Sequence, residues 1–68
     1  MNVDTLNMEV RKFLKLVGVT SQREIEKAVH AAALAGKLKP GARLKAKVHL
    51  SIAEVGLAHD IDGDIAVD

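Results

Sequence analysis

From Leu44 to Ile52 the chain alternates without a fault. Leu44, Ala46, Val48, Leu50 and Ile52 are apolar, and Lys45, Lys47, His49 and Ser51 between them are polar. A β-strand points successive side chains to opposite faces, so this pattern demands a strand with one dry and one wet face. The dry face needs a cover, and 68 residues make a single small α+β domain to supply it. A chain this short buries only ~60% of the surface it exposes when unfolded. Without cysteine it has neither a disulfide nor a thiolate-bound metal as a staple. Phe13 is its one aromatic residue, so the core must be aliphatic and alanine-rich. Self-association is the staple that remains, which makes a homodimer an expectation.

Two helices are expected ahead of the sheet. Asp4 or Thr5 caps the first, which runs to about Val17 with Leu6, Val10, Phe13, Leu14 and Val17 on one stripe. Gly18 ends it. Ser21-Gln22-Arg23-Glu24 reads as a capping box that starts the second. That helix presents Ile25, Ala28, Val29, Ala32 and Ala35 and stops at Gly36. Lys39-Pro40-Gly41 turns the chain into the sheet. After the first strand come a short loop over 53–56 and a second strand over 57–60. Ile61-Asp62-Gly63 reads as a hairpin loop leading to a third strand over 65–67. Pairing Ile52 with Leu57 sets Leu50 beside His59; pairing Asp60 with Asp64 sets His59 beside Ile65 and Leu57 beside Val67. The expected fold is an αα-hairpin packed on one face of a three-stranded antiparallel β-meander, ααβββ. Its inner face is Leu44, Val48, Leu50, Ile52, Leu57, Ile65 and Val67, with His59 among them.

The residues that carry chemistry elsewhere form no convincing site here. Lys37, Lys39, Arg43, Lys45 and Lys47 cluster before the sheet turns, while Glu54, Asp60, Asp62, Asp64 and Asp68 follow it. Arg43, Lys45 and Lys47 are candidate phosphate contacts, which gives weak nucleic-acid binding as the alternative function. The outer-face register opposes it, with His49 beside Asp60 and Lys47 near Asp62, and no exposed aromatic stacks on a base. The turn Gly18-Val19-Thr20-Ser21 invites a helix-turn-helix reading, yet on the exposed side, which carries Gln22, Arg23, Glu26, Lys27 and His30, the acid would face phosphates, and a third helix is missing. Asp60-Ile61-Asp62-Gly63-Asp64 resembles a calcium loop only superficially: Ile65 stands where the loop needs glycine. His30, His49 and His59 fall on different elements. Ser51, His49 and Asp60 share a flat face without an oxyanion site. No catalytic, cofactor-binding or metal-binding residue is therefore expected, and no enzyme. Met8, Leu16 and Leu34 lie off the helical stripes and are candidates for a partner surface.

The net charge of +1 predicts no general attraction for polyanions. Met1 to Asp4 opens neither a secretory signal nor a membrane span, so no membrane is expected. The block Arg11-Lys12-Phe13-Leu14-Lys15 followed by Val17-Gly18-Val19-Thr20-Ser21-Gln22-Arg23-Glu24-Ile25-Glu26-Lys27-Ala28-Val29 resembles a family of very short bacterial proteins known only as a domain of unknown function. Met1-Asn2, Asp4 and Leu6-Asn7-Met8 fit as well, as in a whole protein. The resemblance implies a bacterial, cytoplasmic protein and carries no functional residue over. The expectation is a non-enzymatic protein-interaction module whose partner is another protein or itself.

Overall fold

No proline interrupts the chain before Pro40, and good helix formers dominate the first half. The computed structural model describes residues 1–68, which divide into two compact units, Met1–Lys37 and Leu38–Asp68.

The first unit is one helix. α1 spans Val3–Leu34, 32 residues, or about 48 Å at the α-helical rise. Asn2 caps it: its side-chain oxygen accepts from the Thr5 N–H at 3.0 Å, and its carbonyl accepts from the Leu6 N–H at 3.0 Å. At the other end the Lys37 N–H donates to Ala32 O at 2.9 Å and the Gly36 N–H to Ala33 O at 3.1 Å. With Gly36 at φ 72° this is a Schellman cap. The expected stop at Gly36 is therefore observed.

The expected break at Gly18 is not. Gly18 and Ser21 both lie inside α1, so there is no αα-hairpin, no capping box and no helix-turn-helix. The reason lies in the two apolar stripes, which are in phase. Val17, Ser21, Ile25 and Ala28 follow one another at helical spacing, so a straight helix joins the stripes on one face. Glycine inside a helix costs about 1 kcal/mol relative to alanine. Ending the helix there would leave four carbonyls on one side and four N–H groups on the other to be satisfied anew.

The second unit is one hairpin. β1 (Arg43–Ile52) pairs antiparallel with β2 (Leu57–Ala66) through a single 3-10 turn, Ala53–Val55, closed by Gly56 at φ 66°. The expected three-stranded meander is corrected to two strands. Asp62-Gly63 is a favoured turn pair, yet β2 runs straight through it and Gly63 lies opposite Ala46. Leu57, Ile61 and Ile65 lie on one face across that point, with His59 and Gly63 between them, and a loop would break this shared face. Ile65 accordingly pairs with Leu44 instead of lying beside His59. Past the strand, the Val67 N–H still reaches Ala42 O at 3.4 Å, and the Gly41 N–H donates to the Asp68 carboxylate.

Neither unit contains a buried residue. Within the hairpin Val48 is 42% exposed, and Leu44, Ala46 and Leu50 are half-sheltered.

Candidate interaction surfaces

The hairpin register sorts its side chains by chemistry. One face carries the cross-strand pairs Leu44–Ile65, Ala46–Gly63, Val48–Ile61, Leu50–His59 and Ile52–Leu57. The other carries Arg43–Ala66, Lys45–Asp64, Lys47–Asp62, His49–Asp60 and Ser51–Ala58. Three bases thus stand opposite three acids, the arrangement that favours an antiparallel pair. His49 Nδ1 lies 2.6 Å from Asp60 Oδ1, with both side chains largely in solvent. Asp60, Asp62 and Asp64 are strand residues facing bases, not the tip of a turn. No group of three metal-ligating side chains converges anywhere in the chain.

The candidate phosphate contacts take their places in this ladder. Lys45 and Lys47 share the polar face with Asp64 and Asp62; Arg43, opposite Ala66, has no acid across from it. Ser51, His49 and Asp60 are on the same face, on an exposed sheet surface without a cavity. His59 sits on the apolar face opposite Leu50, as expected, but is exposed.

On α1, Met8 and Leu16 are 63% exposed and Leu34 is 91% exposed. One continuous helix does not gather them into a patch. Leu16 and Leu34 share an edge but are separated by about 27 Å along the axis, and Met8 faces a different direction. A shallow groove on the solvent side, lined by Asp4, Asn7, Met8, Arg11, Lys12 and Lys15, is formed by this helix alone.

A larger apolar feature comes from the helix being unbroken. Val3, Leu6, Val10, Phe13, Leu14, Val17, Ser21, Ile25, Ala28, Val29 and Ala32 form one stripe along it, which the C-cap residue Ala35 continues. Phe13 at its centre of bulk is 50% exposed. Sequence reasoning split this stripe in two because it took Gly18 and Ser21 as punctuation. Counting the helical period across them would have found it.

A long amphipathic helix followed by a two-faced hairpin defines a small α+β chain that presents two apolar faces. The whole of it, residues 1–68, matches the family described as "Family of unknown function (DUF6494)", and the chain belongs to that family. Comparison with curated proteins finds no match, and neither does comparison with solved structures. No helix is long and apolar enough to cross a membrane.

Proposed function

We propose that this chain is a non-enzymatic protein-interaction module of the bacterial cytoplasm that works as a homodimer. One observation carries the reading: both units present an apolar face, and no residue of either is buried. A lone two-stranded hairpin is marginal in water. A helix gains most of its stability in proteins by packing its apolar face. With cysteine absent, no disulfide substitutes for that packing, and a second copy, always present at equal concentration, is a surface that can supply it. The lack of cysteine also suits a reducing compartment. Nucleic-acid binding through Arg43, Lys45 and Lys47 is the weaker reading, because Asp64 and Asp62 stand across from the two lysines.

Sedimentation equilibrium from micromolar to millimolar protein tests the proposal. The expected result is a mass that rises from one chain to two, and a shift of that rise to higher concentration in Phe13→Asp. A mass of one chain throughout overturns it.

A further inference from the structure

The sheet has two strands, so each has one edge without a neighbour. Along the outer edge of β1 every second residue points its N–H and C=O away from β2, and none of these groups meets another backbone group of the chain. α1 offers them no partner wherever it lies, because its own backbone is bonded along the helix. The polar side chains that flank this edge are led by Arg43, Lys45 and Lys47. From this we infer that the β1 edge takes up an extended segment of another protein, one with carboxylates at three alternate positions and apolar residues between them. The inference rests on the protein-interaction reading and names the chemistry of the partner.

Charge selects β1 over β2. Asp60, Asp62 and Asp64 each face a base across the ladder, at His49, Lys47 and Lys45. Arg43 faces Ala66 and makes no ion pair. The polar face of the hairpin therefore has one surplus base, and it stands on β1. β1 already holds an acidic strand on its inner side, where Asp60-Ile61-Asp62-Gly63-Asp64 alternates carboxylates with other residues. A second strand of that pattern, added antiparallel on the outer side, sets one acid opposite each of Arg43, Lys45 and Lys47, because both strands repeat at about 7 Å per two residues. Its other side chains then lie on the face of Leu44, Ala46 and Val48, which calls for apolar ones. Main-chain bonds give an added strand its affinity, and the alternate side chains give it specificity.

A second copy is a poorer occupant of this edge. A two-fold axis sets β1 against β1 or β2 against β2, which places bases opposite bases or acids opposite acids. β1 of one copy against β2 of the next is complementary in charge. That contact is head to tail, however, so it leaves a free edge at each end and adds chains without closing, whereas a homodimer stops at two.

A phosphate backbone also answers the edge less fully. Phosphate oxygens accept hydrogen bonds from its N–H groups and leave its C=O groups unpaired. A peptide strand pairs with both. The hairpin carries no phenylalanine, tyrosine or tryptophan on which a base could stack.

Nuclear magnetic resonance on the whole chain tests this, with a blocked peptide titrated in at low salt. The peptide carries three aspartates at alternate positions, with valine between them and threonine at its ends. The expected result is new hydrogen-exchange protection at alternate amides of β1, those facing away from β2. The same peptide with asparagine for aspartate should bind about tenfold more weakly. Arg43→Glu should weaken the aspartate peptide about fivefold and leave the hairpin's own amides protected, because Ala66 stands across from it. The asparagine comparison needs no variant and decides the matter if Arg43→Glu does not fold. No binding at millimolar peptide, equal binding of the two peptides, or shifts without alternate protection each overturn the inference. An oligothymidylate that binds more tightly than the aspartate peptide assigns the edge to phosphate and overturns it too. Sedimentation without peptide separates this inference from the homodimer reading. A mass that grows past two chains, and falls back in Arg43→Glu, makes a second copy the occupant and overturns the inference. A mass of one chain throughout removes the homodimer and leaves the peptide result standing.

Discussion

At the scale of single residues, Gly18 and Gly36 are both glycines in an alanine-rich context, yet the chain uses them in opposite ways. Gly36 adopts φ 72°, where a side chain is strained, and ends α1. Gly18 keeps helical geometry, and a Cβ added there meets nothing within 4 Å. Gly18→Ala should therefore stabilise the protein by about 0.5–1 kcal/mol, and Gly36→Ala should destabilise it by about 1 kcal/mol. Urea unfolding midpoints measure both. A loss of stability in Gly18→Ala would restore the broken helix that the local sequence suggests.

At the scale of elements, the parts of the fold legible in the sequence were those set by period. The alternation from Leu44 to Ile52 yields β1 and its pairing of Ile52 with Leu57, Leu50 with His59 and His49 with Asp60. The parts misread were those inferred from punctuation. Gly18, the Ser21–Glu24 pair and Asp62-Gly63 are each strong local stop signals, yet each lies inside an element whose period runs through it. A breaker costs about 1 kcal/mol locally, while one apolar face kept continuous gathers the burial of many side chains. Met8, Leu16 and Leu34 look exceptional only beside two short stripes, and the single long stripe is hidden until α1 is known to be whole. The hairpin makes its own prediction. Lys47→Glu sets a like charge opposite Asp62 and should weaken the hairpin by about 0.5 kcal/mol. The loss should shrink as salt is added. Amide hydrogen exchange across β1 and β2 reads it; unchanged protection at low salt would mean that the cross-strand charges contribute nothing.

At the scale of the whole molecule, the account depends on a deficit. Hydrophobic burial is the main favourable term that opposes the conformational entropy lost on folding, and neither unit buries a residue by itself. A second copy would supply it, and folding would then be linked to association by mass action. Thermal unfolding followed by far-ultraviolet circular dichroism at 5, 50 and 500 micromolar protein tests this most directly. The account predicts a midpoint that climbs with each step in concentration. A sharp transition whose midpoint is the same at all three would show that one chain is stable alone, and would contradict it.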